Sequence, residues 1–223
     1  MTTGRGGKKR KRRRKTDRRT LYIRGGILVL VMLTVILGIY SCASGSRRNL
    51  DVDASEPDID VQLLDVNAYS RPGIETEGIN GIVIHYTANP GSTAQENRDY
   101  FNGLQYSQET EASSNFVVGM DGEIIQCVPT WEVAYASNER NFDTLSIECC
   151  HPDDSGEFTD ETYRSLVQLT AWLCLKFDLS EDDVIRHYDV TGKVCPKYFV
   201  DHEDAWEEFR QNVRIAMDRT MEN

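Results

Sequence analysis

The hydrophobic pattern divides the chain before any residue is read for chemistry. From Gly25 to Ala43 runs a stretch without a single charge, Gly25-Gly-Ile-Leu-Val-Leu-Val-Met-Leu-Thr-Val-Ile-Leu-Gly-Ile-Tyr40 followed by Ser41-Cys42-Ala43. As a helix it is about 28 Å long, which matches a bilayer core, and it lacks the polar stripe that a helix of a soluble fold keeps. Residues 44–70 have the opposite character. They are poor in apolar residues, and Asp51, Asp53, Glu56, Asp58 and Asp60 gather around Pro57. Such a segment buries too little surface to offset its ordering entropy, so a flexible acidic stalk is expected there, reaching at most about 90 Å.

From Arg71 onward the periodicity is that of a folded domain, 71–223. Ile79-Asn-Gly-Ile-Val-Ile-His-Tyr86 is nearly continuous in apolar and β-branched residues, the mark of a central strand buried on both faces. Ser92-Thr93 is placed to cap a short helix running through Tyr100 and Phe101. Asn115–Gly119 and Glu123–Val128 flank the turn signal Met120-Asp121-Gly122, which predicts a hairpin. Leu145–Cys149 reads as a further strand and Val184–His187 as a short extended segment. Tyr163, Leu166, Val167, Thr170, Leu173, Cys174 and Phe177 recur at helical spacing behind Asp160 and Glu161, and Trp206, Phe209, Val213 and Met217 mark a closing helix. Strands interspersed with helices indicate an α/β domain. Its length of about 150 residues is ordinary for one domain with its own core.

Charge sharpens the division. The 223 residues carry a net charge of −11, a value that describes no part of the chain. Residues 1–24 hold twelve basic side chains and one acid, a net of +11, and the remainder is −22. A dense basic run beside an apolar span orients it with the basic side in the cytoplasm. Residues 1–24 are therefore read as a cytoplasmic tail, 25–43 as a transmembrane signal anchor, and the rest as exported. Attraction to anionic inner-leaflet lipid accounts for Lys8–Lys15. That run has no interleaved aromatic residues and no DNA-binding motif, so no nucleic-acid partner is expected. Ile39-Tyr40-Ser41-Cys42 also resembles a bacterial lipobox, and a lipoprotein anchored at Cys42 is the alternative topology. Six cysteines are too few for a disulfide-dense miniprotein.

The chain has four histidines. His85 ends the buried strand, His187 ends a short extended segment, and Cys195 follows in His187-Tyr-Asp-Val-Thr-Gly-Lys-Val-Cys-Pro196. Two imidazoles and one thiolate suit zinc, and three protein ligands leave the open position of a catalytic site. The spacing alone is weak. There is no CxxC pair, and each of these residues reads equally well as a satisfied polar group of the core.

The order of segments carries more. Ile82-Val-Ile-His-Tyr-Thr-Ala88, Ser114-Asn-Phe-Val-Val-Gly-Met-Asp-Gly-Glu-Ile-Ile-Gln126, Leu145-Ser-Ile-Glu148, and Arg186-His187 through Lys193-Val-Cys-Pro196 together resemble the zinc-dependent N-acetylmuramoyl-L-alanine amidases of the amidase-2 family, relatives of the peptidoglycan recognition proteins and phage endolysins. The resemblance covers about residues 71–200. It implies a central mixed β-sheet flanked by helices. It also implies His85, His187 and Cys195 as zinc ligands, Glu148 as the acid acting on the attacking water, and Lys193 as the cation stabilising the oxyanion. The chemistry is coherent, because Zn²⁺ with one thiolate and two neutral imidazoles keeps a net positive charge. A carboxylate and a cation then serve the proton transfers and the tetrahedral intermediate.

Two stretches depart from the family pattern. Ser114-Asn115 stands where many members carry His in the second motif, and Val133-Ala-Tyr-Ala-Ser137 puts Tyr135 in place of another frequent His. Both are expected to alter substrate contacts. Cys127 and Cys174 fit apolar core faces, Cys150 shares the face of Glu148, and the pairing of Cys127, Cys149, Cys150 and Cys174 stays open. His151 reads as a loop residue and His202 as a helix start, neither as a ligand. The resemblance implies a membrane-anchored hydrolase of peptidoglycan, cutting between N-acetylmuramic acid and L-alanine. The alternative is a non-catalytic recognition protein on the same fold. Such proteins typically lose the cysteine ligand, and Cys195 is retained.

Overall fold

A computed structural model describes residues 50–222 of the chain. The basic segment 1–24, the uncharged run 25–43 and Cys42 lie outside the described residues. Among the described residues no helix is long and apolar enough to cross a membrane.

Six strands form one mixed sheet: β1 (Asp60–Val61), β2 (Ile82–Tyr86), β3 (Phe116–Val118), β4 (Ile124–Gln126), β5 (Leu145–Cys149) and β6 (Val184–Arg186), in the order β1-β4-β3-β5-β2-β6. The hairpin pair β3–β4 is antiparallel, and all other pairings are parallel. The helices are α1 (Ala94–Ser107), α2 (Asp160–Phe177), the one-turn α3 (His187–Thr191) and α4 (Lys197–Asp201), and α5 (Glu203–Met221). The α/β architecture and the helix-flanked mixed sheet agree with the sequence reading.

Alternation along the strands sorts the core into two layers. Ile82, Ile84, Phe116, Val118, Leu145, Ile147 and Cys149 turn to one face. There they pack against Leu166, Val167 and Leu173 of α2 and Trp206, Phe209 and Val213 of α5. Val117 and Ile125 turn to the other face, against Ala94, Phe101 and Leu104 of α1. The central strand is covered on both sides, which is why its sequence is apolar without alternation. Thr93 caps α1 in a capping box with Glu96, its hydroxyl accepting the Glu96 N–H.

The expected stalk is corrected from Leu50 onward. Val52 and Ala54 are buried with the α2–α5 layer and Leu64 with the α1 layer. Asp60–Val61 adds the edge strand β1 beside β4. The acidic residues hid this because only a few of the apolar side chains, Val52, Ala54 and Leu64, fill core positions while Val61 and Val66 stay exposed, and the backbone is tied by side chains distant in sequence. Arg219 donates to Leu50 O and Val52 O, Thr220 Oγ1 accepts Ala54 N–H at 2.7 Å, and Arg98 donates to Gln62 O and Leu63 O at 3.0 Å. Arg71 reaches Leu64 O at 2.8 Å while gripping Glu132 in a two-point ion pair.

Leu64→Ala is accordingly expected to cost about 2–5 kcal/mol of unfolding free energy, read as a lowered denaturant midpoint. A flexible stalk at this position would leave the midpoint unmoved.

Candidate metal centre and active site

The site is built at the carboxyl ends of three adjacent parallel strands, where ligands of open α/β sheets gather. In the β2–β5 register His85 stands opposite Glu148. Ile84 stands opposite Arg186, the last residue of β6, so His187 emerges beside His85 as the first residue of α3. Strand alternation turns His85 and Glu148 away from the α2–α5 layer. Arg186 secures the turn after β6. Its guanidinium grips Asp189 at 2.9 Å and Glu203 at 2.6 Å and donates to Phe199 O at 3.0 Å. Gly192 ends α3 with φ 77°, a conformation that suits glycine, and turns the chain toward Lys193 and Cys195. The N–H of Tyr188 donates to Cys195 O at 2.9 Å and fixes the return.

His85, His187 and Cys195 are all buried, and their donor atoms lie within 4.8 Å of one another. Cys195 Sγ is 3.7 Å from His85 Nδ1, and the two imidazole centroids are 4.7 Å apart. Glu148 Oε1 lies 3.9 Å from His85 Nδ1. Each imidazole turns its other nitrogen outward. His85 Nε2 is 3.1 Å from Ser137 Oγ and His187 Nε2 is 3.0 Å from Asn138 Oδ1. His187 Nδ1 and Glu148 Oε2 are buried without a hydrogen-bond partner. Orphaned buried polar atoms are costly unless something else occupies them. A cation bound by His187 Nδ1, His85 Nδ1 and Cys195 Sγ is what this donor set fits, and sulfur with imidazole nitrogen selects zinc-like ions over magnesium or calcium.

The electrostatics agree. Burial holds His85 well below the ordinary imidazole range, with His187 and Lys193 adding to the effect. Burial and then Lys193 lower His187, against Glu139. Both rings are neutral at pH 7, the form that ligates metals. Burial, reinforced by Glu148, pushes the Cys195 thiol up to about 12. A cation at the site would compensate the thiolate and displace its proton. Burial lifts Glu148 to about 8, and Lys193 opposes that rise. Lys193 is itself exposed, and its charge acts on Glu148, both histidines and Cys195.

The remaining sequence candidates lie elsewhere. Ser114 and Asn115 are fully buried and serve strand pairing rather than substrate: Ser114 Oγ donates to Phe116 O and Ser146 O, and Asn115 Oδ1 accepts from Ser146 N and Oγ. Cys150 does share the Glu148 face, but its sulfur meets Asn97 Nδ2 at 3.5 Å and is not in the donor cluster. Cys127, Cys149, Cys150, Cys174 and Cys195 are free thiols. His151 lies beyond β5, buried rather than exposed, with Nδ1 2.7 Å from Asp153 O. His202 precedes α5. Ser137 and Asn138 were missed as site residues. Their only signal was the departure noted at 133–137, which says nothing of contact with either histidine.

The family profile of N-acetylmuramoyl-L-alanine amidase matches residues 75–198. The chain belongs to the amidase-2 family. N-acetylmuramoyl-L-alanine amidase CwlL of Bacillus licheniformis is 37% identical over 160 residues, covering 66% of this chain and 44% of that protein. BlyA, an N-acetylmuramoyl-L-alanine amidase of Bacillus subtilis strain 168, is 34% identical over 173 residues, covering 68% and 46%. The chain thus spans just under half the length of these relatives. Among solved structures, the catalytic domain of XlyA superposes with TM-score 0.61 at 25% identity, covering 70% of this chain and 99% of that one. The fold of this amidase-2 chain is therefore similar to that of the XlyA catalytic domain, and its four motif segments all lie inside the matched region.

A pH dependence follows for the metal-free amidase-2 chain. Folding raises the Glu148 carboxyl from 4.5 to about 8, so the native state holds this proton more tightly than the unfolded state. Its contribution to stability is full below about pH 4.5 and is lost as pH rises toward about 8. With chelator present, Glu148→Gln should melt higher than the wild-type chain at pH 8, and the gap should close toward pH 4.5. Parallel melting profiles would refute the assignment.

Proposed function

We propose that this chain is a zinc-dependent hydrolase of peptidoglycan, cleaving the amide between the lactyl group of N-acetylmuramic acid and L-alanine. The observation that carries the reading is the buried convergence of His85, His187 and Cys195 with an unpartnered Glu148 oxygen beside them. Relatives named N-acetylmuramoyl-L-alanine amidases support the choice of bond.

His85, His187 and Cys195 hold the metal, which when bound supplies Lewis acidity toward the scissile carbonyl and the attacking water. The residues of the chain do the rest. Glu148 takes a proton from the water as its oxygen forms the new bond to the carbonyl carbon. Glu148 then delivers that proton to the leaving nitrogen as the C–N bond breaks. Without a metal, burial lifts this carboxyl to about 8, and a cation bound beside it would draw it back down, leaving a carboxylate that accepts a proton and returns it. Lys193 places a positive charge where the carbonyl oxygen becomes negative. The products are a muramic carboxylate and a stem peptide with a free L-alanine amine.

The topology completes the proposal. Residues 25–43 anchor the chain in the cytoplasmic membrane with 1–24 inside and the catalytic domain outside. The uncharged run and its basic flank support this arrangement. Acylation at Cys42 is the second possibility, and it exports the same domain.

Purified cell wall incubated with the full chain should release stem peptides bearing a new amino-terminal L-alanine, identified by mass spectrometry. Chelator should abolish release and added zinc restore it. Glu148→Gln should lower kcat by about 10²–10⁴ while zinc stays bound, and Lys193→Ala by about 10²–10³. Wild-type turnover in the Glu148 variant would remove its role, and wall binding without any release would favour the recognition reading. For topology, protease added to intact protoplasts should digest the domain, and protection from digestion would place it inside.

A further inference from the structure

Both site histidines turn their second nitrogen toward consecutive residues of one loop. His85 Nε2 lies 3.1 Å from Ser137 Oγ and His187 Nε2 3.0 Å from Asn138 Oδ1. We infer that Ser137 and Asn138 are a pair of positioning residues that locks both imidazoles with Nδ1 facing the metal and so sets the zinc affinity of the site. This rests on the zinc reading above and adds residues that the ligand set does not contain.

The tautomer argument is direct for His187. A carboxamide oxygen has no proton to give, so the hydrogen of the 3.0 Å contact sits on His187 Nε2. The lone pair is then on Nδ1, the same atom that is buried without a partner. For His85, Nδ1 faces Cys195 Sγ at 3.7 Å, and Nε2 is left to the Ser137 hydroxyl. A hydrogen bond on the outer nitrogen fixes ring orientation and strengthens the inner nitrogen as a ligand.

The loop is braced independently of the histidines. Asn141 Oδ1 accepts the N–H groups of Ala136 at 3.1 Å and Ser137 at 2.6 Å. The N–H of Arg140 returns to Ser137 O and that of Asn141 to Asn138 O. The Arg140 guanidinium is paired with Asp143 at 2.8 Å, and Thr144 Oγ1 donates to Arg140 O at 2.6 Å. Asn138 itself has φ 54°, a left-handed conformation that Asn tolerates and most residues avoid. A backbone held in that region beside a site is the kind of constraint that fixes where a side-chain oxygen points. Because one rigid loop serves both rings, a shift of the loop would misplace two of the three ligands together.

Zinc affinity of the full chain, measured by competition with a chromophoric chelator, tests this. The absorption spectrum of the cobalt-substituted protein reports ligand geometry alongside. Asn138→Gly removes the side chain without straining the backbone, since glycine accepts a positive φ. It should weaken zinc binding about 10- to 100-fold and shift the cobalt bands. Ser137→Ala should weaken it about tenfold. Asn138→Asp keeps the acceptor and should bind at least as tightly as the wild-type chain. Affinities within twofold of wild type in both Asn138→Gly and Ser137→Ala, with unchanged cobalt spectra, would overturn the inference while leaving the metal reading intact. A lowered melting temperature of the metal-free variants with unaltered affinity would do the same, since that is what a merely structural loop produces. Failure of the wild-type chain to bind zinc would sink the metal reading and this inference together.

Discussion

The site depends on one constraint, the parallel register of β5, β2 and β6. Opposite pairing of His85 with Glu148 brings the proposed acid within 3.9 Å of His85 Nδ1, and the adjoining register delivers His187 where β6 gives way to α3. Side chains in a strand alternate, so a slip by one residue would send His85 and Glu148 into the α2–α5 layer and Ile84 and Ile147 into the site. Driving an imidazole and a carboxyl into that apolar layer without partners makes the slip prohibitive. The chemistry therefore inherits its precision from ordinary core packing.

Burial then acts a second time, on the ionisable groups. The same desolvation lowers the two histidines, raises Glu148 to about 8 and raises the Cys195 thiol to about 12. In isolation these groups are costly passengers of a core. With a cation among them, neutral imidazoles become ligands and a thiolate becomes affordable, and the low dielectric that opposed each charge now strengthens their mutual attraction. Lys193, exposed at the rim, biases every one of these groups without occupying the core. The same logic explains why the outer nitrogens of both histidines are tied to a braced loop: a ligand that can rotate loses the geometry for which its burial was endured.

Much of this was legible from residue order. The hairpin at 116–126, the strand 145–149, the helices 160–177 and 203–221 and the capped α1 all announce themselves by period and by local turn or cap chemistry. The donor set His85, His187 and Cys195, with Glu148 beside it, was named from the order of four motif segments that resembles the family's order. Residues 50–70 were misread, since density of charge masked the three apolar side chains that matter, Val52, Ala54 and Leu64. The inward bonds of Ser114 and Asn115 to Ser146 were not legible, since a polar pair within a motif looks the same whether it faces a ligand or bonds to a neighbouring strand.

What the sequence by itself determined is local: where apolar period changes, where chains of like charge stop, and which residue types capable of holding zinc stand in family order. What only the tertiary structure decided is the meeting of partners far apart in the chain. Cys195 reaches His85 across 110 residues, Ser137 and Asn138 reach two histidines from a loop with no motif of its own, and Arg219 reaches back to Leu50 and Val52. Such contacts leave no periodic trace, because a hydrogen bond or a ligand bond constrains two positions in space and neither neighbour in sequence.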